Sequence, residues 1–287
     1  MELCFITPIN FLEEFATQSR YHLILPHICQ TSKKYKDFYR ERRKEGDFVI
    51  LDNGSYELDK PIGNKEIIDI ACDLDVNEIV LPDYIEDIEK TLEASYIFLS
   101  EIEKNNLLKK FQYAFVMQGK KVKDLEKAIK LALEVNECKT LCFSGIPSSM
   151  YLLMVNELEG SGEWYTPKSL SFTMRHLYSR VTLYFFLKKE GYIDELKKHN
   201  KKIHILGLTD GVELLNYAKE DVVRSCDSSS AFVHGYHYIA YTYKGLPGEK
   251  LSIKLDFFVK DINDLQRQTI EHNIKMLKIF AKGVDCW

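Results

Sequence analysis

Residues 222–230 read Val-Val-Arg-Ser-Cys-Asp-Ser-Ser-Ser, so a mostly apolar run ends at the carboxylate of Asp227. In a barrel of parallel strands the carboxyl ends of all strands open on one mouth, where distant parts of the chain can build one site. The same pattern, an apolar run that ends at a polar side chain or a glycine, recurs at residues 50–54, 79–83, 115–119 and 204–208.

The chain contains eight such apolar runs, separated by longer segments of helical period. The runs are continuous rather than alternating, which is typical of parallel strands covered on both faces. Eight strand–helix units within about 230 residues predict an α/β fold, a (β/α)8 TIM barrel. An open doubly wound sheet is the alternative, but it would normally carry a glycine-rich turn after its first strand, and this chain has none there. The runs are residues 3–8, 21–28, 48–53, 78–83, 113–119, 140–146, 203–208 and 222–228.

The domain organisation follows from that count. Residues 1–245 are predicted to form the catalytic barrel, and residues 246–287 a C-terminal extension packed on it. The aromatic-rich segments 235–245 and 251–259 are predicted to be strands, followed by a helix near 264–281. Residues 147–170 are longer than an ordinary connection, which is typical of a lid or binding loop.

Bulk composition narrows the class of protein. With 45% hydrophobic and 29% charged residues, the 287-residue chain is expected to be globular and cytoplasmic. No apolar run approaches the ~20 residues of a membrane span. The seven cysteines lie far apart and no histidine completes a metal set, so no metal and no cofactor are predicted.

Local charge is more informative than the net charge of −4. Residues 33–44 hold seven basic side chains in twelve, interleaved with aromatic ones. Such a segment either binds phosphates and bases or forms a solvated helix face with ion pairs. The candidate nucleic-acid contacts are Lys33, Lys34, Arg40, Arg42, Arg43, Arg175 and Arg180, with a further cluster at residues 197–202.

The polar residues at the strand ends suggest chemistry on a glycosidic bond. A carboxylate such as Asp52, Asp83 or Asp227 can act as nucleophile, general acid or general base. An amide such as Gln118 donates and accepts, which suits the edge of a purine. Each residue also has an ordinary structural interpretation, in a turn or a helix cap. Their recurrence at successive strand ends favours a site.

The order of these motifs resembles that of the guanine transglycosylases, which exchange guanine in a polynucleotide for a 7-deazaguanine. Residues 52–56 (Asp-Asn-Gly-Ser-Tyr) resemble the family's Asp-Ser-Gly-Gly followed by Tyr or Phe. The resemblance extends over about residues 21–235. The other matching segments are Leu81-Pro82-Asp83, Met117-Gln118-Gly119, Ser144-Gly145-Ile146, His204-Ile205-Leu206-Gly207 and Cys226-Asp227.

This resemblance implies a role for each matched residue. Asp227 would attack C1′ of the target nucleoside and hold a covalent glycosyl-enzyme intermediate. Asp52 would protonate the leaving guanine and deprotonate the incoming base. Tyr56 and Leu206 would lie on the two faces of the base. The remaining base-binding residues would be Asn53, Asp83, Gln118, Gly119, Gly145 and Gly207.

Departures from the family pattern indicate whether the polynucleotide substrate is DNA or tRNA. The tRNA-modifying enzymes carry a zinc site after the nucleophile, whereas residues 228–287 contain only Cys286. A short chain without that subdomain resembles more closely the phage and bacterial branch that inserts bases such as preQ0 into DNA. DNA is therefore the favoured partner, with a free 7-deazaguanine as co-substrate and tRNA as the alternative. A nucleosidase or glycoside hydrolase using the same carboxylates is a second alternative. A requirement for an accessory protein or a homodimer stays open.

Overall fold

The computed structural model describes residues 1–145 and 172–283 and contains a closed barrel of eight parallel strands arranged in sequence order. Each strand pairs with its neighbours in the chain, and β8 closes the barrel on β1. Every one of the eight predicted strands is present, so the prediction of a (β/α)8 barrel is confirmed. The strands are β1 Glu2–Phe5, β2 Tyr21–Ile24, β3 Phe48–Leu51, β4 Glu78–Val80, β5 Gln112–Met117, β6 Cys138–Phe143, β7 Lys202–Ile205 and β8 Val223–Ser228.

Helices cover the outside of the barrel, as parallel strands with long crossovers require. Their buried faces pack on a core formed by the apolar runs of the strands. The described residues also include three 3-10 segments, Ile9–Phe11, Ala16–Gln18 and Gly211–Asn216. The described α-helices are α1 Leu12–Phe15, α2 Pro26–Thr31, α3 Lys33–Lys44, α4 Ser55–Leu58, α5 Asn64–Leu74, α6 Ile88–Lys104, α7 Val122–Glu134, α8 Phe172–Lys189, α9 Tyr192–Lys198, α10 Ser230–Tyr236 and α11 Asp264–Lys282.

The barrel interior near the amino ends of the strands is closed by a buried ion pair. Arg224 of β8 donates through Nη2 to Glu78 Oε2 of β4, at 2.5 Å, and Glu78 also accepts from the Thr140 hydroxyl. The pairing of β7 with β8 shifts register between Ile203 and His204. This irregularity lets β8 direct both Arg224 and the polar residues that follow it to the inside.

The predicted strands of the C-terminal region are absent, and that prediction was wrong. Residues 237–262 form turns and irregular chain with a single isolated bridge, Thr242 to Gly245. A closed barrel offers no free edge to an added strand, and the two segments do not pair with each other, because the first begins within α10 and the second packs on His27 and Tyr35. The predicted final helix is confirmed as α11, which lies against α10. At Gly235 of α10 a Cβ atom would come within 2.7 Å of the Ile270 backbone, so glycine permits the close approach of the two helices.

The irregular segment at residues 246–262, which we call the strap, crosses the mouth of the barrel. It begins on the β7 side, where Asp210 accepts from Leu246 N–H and Leu208 O accepts from Lys250 Nζ. Because β3 and β7 are four strands apart in a closed ring of eight, they lie on opposite sides of the mouth. The ammonium of Lys254 reaches the β3 side, 5.9 Å from the centre of the Tyr56 ring.

The rest of the strap follows the rim back towards β1. Phe257 packs edge-on against the rings of His27 and Tyr35, after β2, and its carbonyl accepts from Ile9 N–H, after β1. The strap therefore covers part of the mouth and is held at both ends.

The predicted binding loop at residues 147–170 lies outside the described residues, as does Cys286. None of the described helices combines the length and the apolar character needed to cross a membrane.

Candidate active site

Asp227 is a buried carboxylate near the carboxyl end of β8, held by two donors from β7 and the turn after it. The backbone N–H of Gly207 donates to Asp227 Oδ1 at 3.0 Å, and His204 Nε2 lies 3.1 Å from the same oxygen. His204 Nδ1 lies 2.8 Å from Ser225 Oγ, so the serine hydroxyl can donate and leave Nε2 as the donor to Asp227. Within the described residues no hydrogen bond reaches Asp227 Oδ2. The arrangement orients the carboxylate and keeps one oxygen available to react.

Asp52 follows β3 and has the electrostatics of a proton donor. Burial raises the pKa of the Asp52 carboxyl well above its usual range. The negative charges of three other carboxyl groups raise this pKa further, and a 3.2 Å bond from Gly54 N–H opposes the shift. A carboxyl with a raised pKa retains its proton near neutral pH and can donate it. The three carboxyl groups are those of Glu57, Asp83 and Asp227.

Asp83 and Gln118 lie together, as predicted, but they also bind each other. Gln118 Nε2 donates to Asp83 Oδ2 at 2.5 Å, and Asn53 Nδ2 donates to Oδ1 at 2.7 Å. Burial raises the pKa of Asp83, and these two amide donors oppose the shift. Gln118 Oε1 accepts from Glu86 N–H. A carboxylate oxygen can accept more than one hydrogen bond. Each oxygen of Asp83 therefore has room for a further donor, such as an N–H group of a base.

The residues predicted to hold the faces of the base lie on opposite sides of the mouth. Tyr56 is on α4, after β3, with 70% of its surface exposed. Leu206 follows β7 and packs partly against the core. Gly207 has a φ of +60° with no atom near its missing Cβ, and its N–H is the donor to Asp227. At Gly145 a Cβ would lie 3.0 Å from the His176 ring.

Gly119 has a structural explanation. Its φ is +137°, and a Cβ there would lie 2.3 Å from Asp124 Cβ. The Asp124 carboxylate accepts from the backbone N–H groups of Lys120 and Lys121, which fixes the start of α7. Packing against Asp124 therefore accounts for glycine at this position without a bound base.

The structure adds residues that the sequence analysis did not select. Glu57 lies on α4 beside Asp52, and its Oε2 is buried with no hydrogen-bond partner among the described residues. Burial raises its pKa, as does the charge of Asp227. The signal that could have identified Glu57 is its position five residues after Asp52, within the helix that opens at the same strand end. His204 lies in one of the matched segments but was given no role there, and Lys250 and Lys254 carried no such local signal.

The prediction that Arg180 contacts nucleic acid was wrong. Its side chain is fully buried and forms a two-bond ion pair with Glu213, at 2.8 and 2.6 Å. Its Nη1 also donates to the carbonyl oxygens of Leu206 and Gly207. Arg180 therefore fixes the turn that supplies the Gly207 donor to Asp227. An arginine with a buried carboxylate partner is already neutralised, and a phosphate cannot reach it. The side chain of Arg175, another predicted contact, lies outside the described residues.

Helix α3 separates the remaining predicted contacts into two groups. Its last turns are near the amino ends of the strands, away from the mouth, and there the helix has the ion-paired face that was the alternative interpretation. Arg40 pairs with Asp37 and Asp73, Arg42 with Glu45, and Arg43 with Asp75. Its first turn is at the mouth, where Lys33 and Lys34 are exposed and Lys34 Nζ donates to Asn10 Oδ1 at 3.0 Å.

Within residues 1–145 and 172–283, no three His, Cys, Asp or Glu side chains form a group that could hold a metal ion. Comparison of the chain with models of protein families gives no match, and comparison with characterised proteins gives none either.

Proposed function

We propose that the protein exchanges guanine in a polynucleotide, with DNA favoured, for a 7-deazaguanine base such as preQ0. The observation that carries the proposal is the pair of carboxyl groups Asp227 and Asp52 at one mouth. One is held by hydrogen bonds and leaves an oxygen without a donor, and the other has a raised pKa. Two carboxyl groups in different environments are what a double displacement at an anomeric carbon requires. The order of the base-binding motifs supports guanine as the base.

The first half of the reaction replaces guanine by the enzyme. Asp227 Oδ2 attacks C1′ of the target nucleotide as the bond from C1′ to N9 breaks. The electron pair of that bond leaves with guanine, and Asp52 donates a proton to the departing base. The product is a glycosyl ester on Asp227, with Asp52 now ionised.

The second half reverses these roles. The incoming 7-deazaguanine loses its N9 proton to Asp52, and N9 attacks C1′ as the bond to Asp227 breaks. Asp83 and Gln118 offer an acceptor and an amide to the base edge, and Tyr56 offers an aromatic face. Extracting the target base from a duplex takes a few kcal/mol of unstacking, which contacts to the polymer must offset.

The decisive experiment is the Asp227→Asn variant, which keeps the side-chain volume but cannot form the ester. We expect incorporation of labelled guanine into duplex DNA to fall by at least about 10⁴-fold, as on removing other catalytic nucleophiles. The wild-type protein should form a covalent adduct with DNA that the variant lacks. Asp69→Asn, an exposed change on α5, is the matched control. Exchange by Asp227→Asn at the wild-type rate would refute the proposal.

The same preparation separates the alternatives. Wild-type protein is incubated with duplex DNA, bulk tRNA and a 7-deazaguanine, and the polymers are digested to nucleosides. Deazaguanosine found only in RNA would identify a tRNA-modifying enzyme. Release of free sugar from nucleosides, with no polymer present, would identify a hydrolase.

A further inference from the structure

Two of the three lysines of the strap lie over the acidic mouth, and neither was selected from the sequence. Lys250 lies on the β7 side and Lys254 on the β3 side, with the carboxyl groups of Asp52 and Asp227 in the mouth between them. A polyanion that enters a mouth lined with carboxylates is repelled unless cations meet its phosphates. The cations best positioned for that are those of the strap.

Lys250 is largely buried and only partly satisfied. Its Nζ donates to Leu208 O at 3.2 Å, which is its one side-chain hydrogen bond among the described residues. An ammonium group has three protons, so two remain for a ligand. Burial, and after it the charge of Arg180, lowers the pKa of Lys250 to about 8, against the opposing charges of Asp227 and Glu213. A buried ammonium without a full set of acceptors is stabilised by an arriving anion.

A third cation belongs to the same rim. The Asn10 side chain accepts from Lys34 Nζ and donates to Val259 O, so it joins the first turn of α3 to the strap. Two exposed rings, Tyr56 and Phe258, lie on the same rim, and 60% of the surface of Phe258 is exposed. Alternating cations and exposed aromatic rings are typical of surfaces that bind single-stranded nucleic acid. We call Lys34, Lys250, Lys254, Tyr56 and Phe258 the strap rim.

We propose that the strap rim binds the polynucleotide on both sides of the target nucleotide, with its three lysines on phosphates and its two rings stacked on neighbouring bases. This inference rests on the proposed function. The strap rim takes over the role of nucleic-acid contact that the sequence analysis gave to Arg40, Arg42, Arg43 and Arg180. Those four arginines have carboxylate partners in the folded protein. The strap also holds three carboxylates: Asp256 accepts from Phe258 N–H, Glu249 accepts from the Thr173 hydroxyl, and Asp261 is exposed.

The test is the salt dependence of DNA binding, measured by fluorescence anisotropy with a labelled single-stranded oligonucleotide. All proteins carry Asp227→Asn, so binding is measured without turnover. The rim variant adds Lys34→Ala, Lys250→Ala and Lys254→Ala. The control variant adds Lys104→Ala, Lys109→Ala and Lys130→Ala, three exposed lysines outside every candidate segment, which removes the same total charge. Thermal melts verify that both variants fold.

Three lost phosphate contacts should weaken binding and reduce the slope of log Kd against log salt by about 2, since each contact contributes about 0.7 on a single strand. The control variant should keep the parental slope. Lys254→Arg should also keep it, because a guanidinium binds phosphate as well as an ammonium does. Equal changes in the rim and control variants would mean that only net charge matters, and would overturn the inference.

The outcome for the wild-type protein separates this inference from the proposed function. The three lysine substitutions of the rim variant are also made in a protein that keeps Asp227. If the wild type exchanges guanine and this variant has an unchanged KM for DNA, the inference about the strap rim is wrong and the proposed function stands. If the wild type neither binds polynucleotide nor exchanges guanine, both fail.

Discussion

The barrel holds buried carboxyl groups at two levels, and the two levels differ in how their charge is compensated. Near the amino ends of the strands, Glu78 has the Arg224 guanidinium and the Thr140 hydroxyl as partners. At the carboxyl ends, Asp52 has one bond from a backbone N–H, and the charges that most affect it are other carboxylates. We call the amino ends of the strands the lower level and the carboxyl ends the upper level. The buried charge of the lower level is neutralised by a partner of opposite sign, and that of Asp52 at the upper level is not.

This difference separates stability from function within one barrel. A buried acid with a matched base has its charge satisfied and serves to hold the fold. A buried acid among other acids has a raised pKa, which opposes folding at neutral pH and is retained where a reaction needs a proton donor. Substitutions at the two levels should therefore change stability in opposite directions.

The largest change in the free energy of unfolding is expected at the lower level, for substitution of Glu78. Glu78→Gln leaves the largely buried Arg224 without a counter-charge, and removing one partner of a buried pair lowers the free energy of unfolding by about 3–5 kcal/mol. Urea unfolding measures the loss. Replacing both residues, with Glu78→Leu and Arg224→Met, should recover much of the stability because no charge is then left unpaired. A Glu78→Gln variant as stable as the wild type would remove the distinction between the levels.

A smaller effect is expected at Gly119, which lies at the level of the mouth but is explained by packing. Gly119→Ala should lower the free energy of unfolding by about 1–3 kcal/mol, because φ is +137° and the new Cβ would collide with Asp124. The KM for guanine should not change. Gly248→Ala, where no atom lies near the missing Cβ, is the control. A raised KM with unchanged stability would instead support the base-binding role that the family resemblance implies.

The fold and the strand-end residues could be predicted because both depend on local pattern. Continuous apolar runs specify strands covered on both faces, and parallel pairing brings Asp52, Asp83 and Asp227 to one mouth. Arg180 could not be assigned in this way, since its partner Glu213 is distant in sequence and only the folded chain brings the two charges together. Lys250 was missed for the same reason. The strap has no regular structure whose period would reveal which side chains it directs inward.

The prediction of strands in the C-terminal region was wrong for a different reason. Residues 251–259 are rich in β-forming side chains, but a strand needs a partner: closure of β1 on β8 leaves the barrel no free edge, and the other candidate, residues 235–245, begins within α10. Local propensity is informative only where the topology leaves a position for the element it favours.

The smallest effect, and the one of opposite sign, is expected for Asp52→Asn. The amide removes a carboxyl whose pKa is raised by burial and then by neighbouring charges, so the variant should be more stable at neutral pH by about 1 kcal/mol, or about 2–4 °C in Tm for a domain of this size. Exchange should be lost, since an amide cannot supply the proton. Melting temperatures of the variant and of the Asp69→Asn control are compared with the wild type.

The pH dependence of that gain identifies its cause. A carboxyl with a raised pKa in the folded state binds more protons folded than unfolded, so its ionisation lowers stability as pH rises from the unfolded pKa through the folded one. The advantage of Asp52→Asn over the wild type should therefore be largest at pH 7–8 and shrink as the pH falls towards about 4, the unfolded pKa of an aspartate. Every other titratable group is common to the two proteins, so the difference in Tm isolates Asp52. A gain in stability that does not depend on pH, or a loss of stability at neutral pH, would mean that the charge of Asp52 is compensated. The carboxyl groups of the mouth would then be paired as Glu78 is at the lower level.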